Sequence, residues 1–265
     1  MNPKKMVRLS NTIGFIAVLA LIYWVIIFVT TQVFGLKIFT AKITQTFGFS
    51  IIGILVLMFG ALIINIMFNL SRIADKINND NNNEIIQKTK GKGIIVFFVS
   101  LPVIICALFF GSYLSTKKIE NELKKSADEI INSYNSEIDK ISNYTFDKEW
   151  INSATNLLSF MVKIDPNFNN VAIIFEDEVN GNMFYLTFYN GREIKEETLN
   201  KVNFIRDYEL KEREYIETVF KENNDQKYFM SNDGSYHLFI PYENDGKRML
   251  FFFSDQRNYG ALRSS

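Results

Sequence analysis

Three apolar stretches without a single charged residue occupy the first 116 positions, and nothing comparable follows. They lie between Arg8 and Lys37, between Lys42 and Arg72, and between Lys92 and Lys117. Each exceeds the roughly 20 residues that a helix needs to cross about 30 Å of hydrocarbon. The pattern predicts three transmembrane helices at about 13–34, 47–70 and 94–115, preceded by a polar tail, 1–12. Residues 71–92 form a polar connector that includes an Asn-rich tract, Asn78–Asn83. The first stretch is too long for a cleaved signal peptide and lacks a small-residue cleavage site behind a short apolar core.

After Ser115 the periodicity changes. Ile119, Leu123, Ala127, Ile130, Tyr134, Ile138 and Ile141 recur at steps of three and four, which is one stripe of an amphipathic helix. No Gly or Pro interrupts between Leu114 and Asp165, so the third span is expected to continue into a helix covering 117–145. That stripe can pack on the domain's own sheet, or pair with the same helix of a second copy to make a homodimer through residues 114–144.

Beyond Asp165-Pro166-Asn167 the pattern is that of short strands. Val171–Phe175 and Met183–Tyr189 flank a turn at Gly181-Asn182. A charged stretch, Arg206–Glu222, reads as a surface helix. Lys227–Met230, Ser235–Tyr242 and Arg248–Ser254 read as strands, the last two joined by the turn Asn244-Asp245-Gly246. The predicted class is α+β: three transmembrane helices, then a long helix and an antiparallel sheet domain, 117–265. Ile173, Phe175, Leu186, Phe188, Leu238, Ile240, Leu250 and Phe252 are its expected core, with the long helix across the sheet.

Charge orients the chain. The tail carries Lys4, Lys5 and Arg8, and the second connector carries Arg72, Lys76, Lys88, Lys90 and Lys92, against only Lys37 and Lys42 in the first connector. Lys and Arg concentrate on the cytoplasmic side. The expectation is therefore a multi-pass protein of the cytoplasmic (inner) membrane, with the N-terminus inside and the C-terminal domain outside. Up to Thr116 there are ten Lys/Arg and three Asp/Glu, a net +7, so the remainder carries −7 within a chain of zero net charge. An acidic exterior domain does not suit nucleic acid, whose phosphates need clustered cations. The lipid bilayer is the first partner, and the basic connector suits anionic headgroups.

Candidate chemistry is sparse. One cysteine, Cys106, and one histidine, His237, leave no Cys/His metal spacing, no His-based triad and no cofactor motif. No enzyme is expected. Asn65 and Asn69 share a helix face and suit interhelical hydrogen bonding better than a substrate path. Spans without acidic or basic residues do not suggest an ion pathway. Glu176, Asp177 and Glu178 read as a solvated turn in preference to a cation site. Unperturbed imidazole titrates near pH 6.5, which makes His237 a candidate pH-sensitive or ligand-contacting group.

The segment Asp233-Gly234-Ser235-Tyr236-His237-Leu238-Phe239-Ile240-Pro241-Tyr242, followed by Asp245-Gly246-Lys247, resembles the late hairpin of the extracytoplasmic Cache (PAS-like) sensor domains of bacterial receptors. There a strand often ends in Ile-Pro before a Gly turn. The arrangement of spans, with the step Leu101-Pro102 in the third, resembles the N-terminal sensor region of NtrY-like membrane histidine kinases. This resemblance implies a PAS-like sheet over residues 114–255 and a site in which basic and aromatic residues meet a small ligand. The candidates are Tyr185, Arg206, Arg213, Tyr236 and His237. The longest late apolar run, Met249–Phe253, is too short to span, so output is expected from a separate kinase or other protein. The expected function is a sensor-like membrane protein that relays ligand or partner binding through its helices. The alternative is a membrane scaffold or envelope-complex subunit using the exterior domain for protein contact.

Overall fold

The computed structural model describes residues 3–38, 41–78, 92–191, 199–232 and 234–257. The Asn-rich part of the second connector lies outside the described residues. The chain divides into two compact units, Met1–Ser115 and Thr116–Arg257.

The first unit holds α1 (Pro3–Val33), α2 (Ala41–Asn78) and the first part of α3 (Lys92–Ser133). Among the described residues three helices are long and apolar enough to cross a membrane, over Arg8–Val33, Gly48–Ser71 and Ile95–Ser133. Large apolar side chains such as Phe15, Val56 and Phe98 point outward at 64, 64 and 65% exposure, as helices facing hydrocarbon would have them. Small residues bring α1 and α2 together: a methyl group at Gly14 would lie 3.8 Å from Cβ of Ala61, and Ser10 Oγ donates to the Ala61 carbonyl. Asn65 donates across to Asn11 of α1, and Asn69 donates to Asn65 within α2, so Asn65 makes the interhelical bond. Helix α1 meets α3 through Tyr23, which bonds Ser100 and lies edge-on to Phe97 at 5.4 Å, and through Phe34 against Phe109 at 5.2 Å. These contacts run α1 antiparallel to α2 and parallel to α3. Pro102 is accommodated within α3.

The second unit takes the rest of α3, then α4 (Asn135–Ser142), α5 (Lys148–Ile164), β1 (Asn170–Val179), β2 (Asn182–Tyr189), a 3₁₀ turn (Lys201–Phe204), α6 (Leu210–Glu222), β3 (Tyr228–Asn232), β4 (Ser235–Asn244) and β5 (Lys247–Gln256). The predicted helix over 117–145 is broken once, at Tyr134 (φ −114°, ψ 22°). It falls within Ser133-Tyr134-Asn135-Ser136, where Ser and Asn compete with the helical backbone for hydrogen bonds. Asp147 caps α5, accepting from the Trp150 N–H at 2.8 Å.

The strands form one antiparallel sheet in the order β2-β1-β5-β4-β3. The first hairpin turns at Asn180-Gly181 (φ 56° and 82°) and the last at Asp245-Gly246 (φ 50° and 75°). These are the left-handed pairs that two-residue turns require. The first turn thus lies one residue earlier than predicted, and Glu176, Asp177 and Glu178 belong to β1, where Asp177 pairs with Lys201 at 2.7 Å.

Both faces of the sheet are covered. Ile173, Phe175, Leu186, Phe188, Leu238, Ile240, Phe251 and Phe253 share one face by register. Against it lies α5, with Trp150 edge-on to Phe175 at 5.4 Å and to Phe188 at 5.0 Å. In α3 and α4, stripe residues Ile119, Leu123, Ala127, Ile130, Ile138 and Ile141 are buried within this unit, so the stripe serves its own domain. All eight predicted core residues are buried. Leu250 and Phe252, however, face the opposite side from the other six, where they join Ala172, Ile174 and Phe239 beneath Tyr215, Ile216 and Val219 of α6.

Candidate functional site

The face of the sheet under α6 carries a buried carboxylate, Glu212, and a half-buried guanidinium, Arg206. Helix α6 begins at Leu210, not at Arg206, because Glu209 and Glu212 form a reciprocal capping box. Residues 205–209 are therefore non-helical and lie along the sheet, Ile205 bridging to Leu186 of β2. This path lays the Arg206 guanidinium over three rings, at 4.7 Å from Phe252, 5.0 Å from Tyr208 and 5.7 Å from Tyr189. Such stacking favours a delocalised cation. Arg206 also donates to the Tyr189 phenol oxygen. That phenol keeps its own O–H for another acceptor. Thr187, one pleat along β2 on the same face, shares a 2.5 Å hydrogen bond with the Tyr208 phenol.

Beside this cation sits a hydrogen-bonded carboxylate–imidazole pair. Glu212, 1% exposed, holds His237 Nδ1 of β4 at 2.6 Å. Its second oxygen accepts from the Glu209 N–H at 3.3 Å. Burial pushes the Glu212 carboxyl up, but the His237 hydrogen bond and the positive charges of His237 and Arg206 outweigh it, and the group stays below its ordinary value. The His237 ring stands edge-on to Phe252 at 5.1 Å, so Arg206 and His237 share one phenyl ring. Burial raises the Tyr189 phenol, opposed by Arg206, and raises Tyr208, opposed by the Thr187 hydrogen bond. Both remain protonated donors at neutral pH.

Among the predicted site residues, the structure brings Arg206 and His237 together. Tyr185 is on the same face but turned to α6, stacked on Phe220 at 5.4 Å; burial, then Glu176 and Glu217, push its phenol up to about 12. Arg213 lies on the outer side of α6, paired with Glu217 at 3.5 Å and 68% exposed. Tyr236 falls on the opposite face, fully buried and stacked on Phe229 at 6.0 Å; neighbouring strand residues cannot share a face. The sequence pattern did not single out Tyr189, Tyr208, Thr187 or Glu212. Tyr189 and Thr187 could have been reached from Tyr185 by alternation. Glu212 could not, since it stands among charges that read as a solvated face.

No protein-family model matches this chain, and no curated protein matches it.

Chemically, the cluster offers one cation seated on aromatic rings, a phenolic donor beside it, and a carboxylate already engaged by imidazole. Among the described residues no carboxylate lies within 4 Å of the Arg206 guanidinium. A guanidinium so placed suits a small anion with two acceptor oxygens, a carboxylate above all.

Proposed function

We propose that this is a membrane-anchored sensor-like protein. Its C-terminal, extracytoplasmic domain binds a small carboxylate at Arg206 and relays the binding through α3 to a separate output protein. On this reading the N-terminus and second connector are cytoplasmic, an orientation supported by their Lys and Arg residues. The observation that carries this is the half-buried Arg206, held over Tyr189, Tyr208 and Phe252 with its carboxylate-binding edge unmatched by any acid among the described residues. A cation in that setting is costly as a purely structural element and valuable as a binding one. The antiparallel five-stranded sheet, with α5 on one face and the site beneath α6 on the other, supports the PAS-like reading. The continuity of α3 from Lys92 to Ser133 supports the relay.

The test is thermal unfolding of the full chain in lipid nanodiscs against a panel of small mono- and dicarboxylates. A true ligand raises the melting temperature with concentration, and Arg206→Gln removes that rise. If no carboxylate stabilises the protein, or stabilisation survives in Arg206→Gln, the reading fails. A second reading, a scaffold that uses this domain for protein contact, is favoured by Phe160 and Ile164. They lie one turn apart on α5 at 58 and 48% exposure. Their replacement by Ser would abolish complex formation under that reading and leave carboxylate binding intact under the first.

A further inference from the structure

The Arg206 site contains the one histidine in the chain, and its surroundings define what protonation there would do. An ionised carboxylate only accepts hydrogen bonds, so the 2.6 Å contact with Glu212 fixes the His237 proton on Nδ1. With imidazole neutral, Nε2 is an acceptor, and the charges of Arg206 and Glu212 cancel. When His237 gains a second proton, Nε2–H becomes a donor and the cluster carries one positive charge in excess. The other groups facing the pair are Arg206 and Tyr208 from the segment before α6, Glu209 from the helix cap, Tyr189 from β2 and Tyr228 from β3. Phe252 of β5 supplies the ring between imidazole and guanidinium. Glu212 is already paired to His237, and no second buried acid is present to absorb the added charge among the described residues of this face.

We infer that anion binding at Arg206 is proton-linked through His237: the site takes up a proton with its ligand and holds a carboxylate more tightly as the medium acidifies. The inference rests on the carboxylate-site reading above and adds its regulation. Its physical origin is the single unbalanced charge, worth roughly tenfold in affinity for a monovalent anion at a partly solvated site that shares the Phe252 ring with the imidazole. Linkage makes the effect reciprocal. A tenfold gain in affinity on protonation requires the imidazole midpoint to rise by about one pH unit when the anion saturates.

The experiment uses the full chain in nanodiscs, with acetate as probe and chloride holding the ionic strength constant. Acetate stabilisation is read from the melting temperature at pH 6 and pH 8. In parallel, histidine labelled at Cε1 is titrated by NMR with and without acetate, giving one resonance because the sequence has one histidine. The expected result is an apparent affinity roughly tenfold higher at pH 6 and a histidine midpoint that climbs with acetate. In His237→Asn, which keeps a donor for Glu212 without a titrating charge, the ratio between the two pH values should fall towards one. Arg206-dependent stabilisation that is equal at both pH values, with a histidine midpoint indifferent to acetate, overturns the proton link and leaves the carboxylate site standing. Absence of acetate stabilisation at either pH overturns the proposal together with the site it rests on.

Discussion

Glu212→Ala tests whether the buried charge is part of a working cluster or a tolerated defect. In the native chain the carboxylate makes two contacts: a charge-assisted hydrogen bond to His237 Nδ1 at 2.6 Å and a capping bond from the Glu209 N–H at 3.3 Å. The first is worth about 1.5–3 kcal/mol and the second about 1 kcal/mol. Removing both leaves His237 with an unsatisfied donor under α6 and a side-chain-sized void at a position 1% exposed. The expected loss is about 2–4 kcal/mol. For a unit of this size that lowers the melting temperature by about 10 °C.

A domain-specific probe exists for the assay. The chain has two tryptophans, Trp24 in α1 and Trp150 packed in the C-terminal unit against Phe175 and Phe188. With Trp24→Phe as background, Trp150 fluorescence follows that unit alone. The pH dependence supplies a second readout. Because the folded-state value of Glu212 is lowered, its contribution is full above the ordinary value near 4.5 and is lost as the pH falls through the folded value. The gap between native protein and Glu212→Gln should therefore be open at pH 7 and narrow below about pH 4. An Ala variant that melts at the native temperature would refute the reasoning. It would mean that the cost of desolvating the carboxylate already cancels its two bonds, as happens in some buried ion pairs.

Three further expectations are simpler. Phe252→Ala removes the ring beneath both Arg206 and His237 at a site 2% exposed, and should cost about 3–5 kcal/mol, read by the same Trp150 melt. Gly181→Ala should destabilise by about 1 kcal/mol even though nothing lies within 4 Å of the added methyl, since φ of 82° alone penalises a side chain; an unchanged melt would contradict the turn geometry. In a Cys106→Ala background, a cysteine at Asn232 should react with an impermeant thiol reagent in intact cells and one at Asn81 should not, and the reverse pattern would overturn the proposed orientation.

The legibility of this chain follows from how many faces of each element are covered. The three apolar stretches carry no charged residue, and their extent could be read from that alone. In the strands the existence of each element was legible, but the face was not. Leu250-Phe251-Phe252-Phe253 is an unbroken apolar run because β5 is central and buried on both sides, and such a run has no alternation from which to assign a face. The placement of Leu250 and Phe252 with the other core residues on the long-helix side failed for this reason. The start of α6 failed for a different one. Arg206–Glu222 is uniformly charged, and the cap that ends the extended segment is Glu209 in place of the Ser, Thr, Asp or Asn that marks a helix start. With the cap unrecognised, the pattern puts Arg206 on a surface helix, whereas the non-helical backbone of residues 205–209 carries it onto the sheet.

The two faces of the sheet differ in chemistry, and that difference bears on function more directly than any single residue. On the α5 side the interior is largely hydrocarbon and aromatic rings, and its buried carboxylate, Asp255, sits near the end of β5 and is paired with Arg257 at 2.6 Å. Its polar contacts, Tyr144 with Asp177 and Lys201, and Tyr242 with Asp139, stand towards the margins and tie helices to strands. On the α6 side Arg206, Glu212, His237, Thr187 and the phenols of Tyr189 and Tyr208 are set among Phe252, Phe239 and Ala172. A core selected for stability alone gains nothing from such groups, because apolar residues of the same volume would be as stable or more so. The same chain adopts a more apolar solution on the other face of the sheet. The polar face is thus a local exception to a rule the molecule otherwise follows, and local exceptions of that kind are where binding and switching are built.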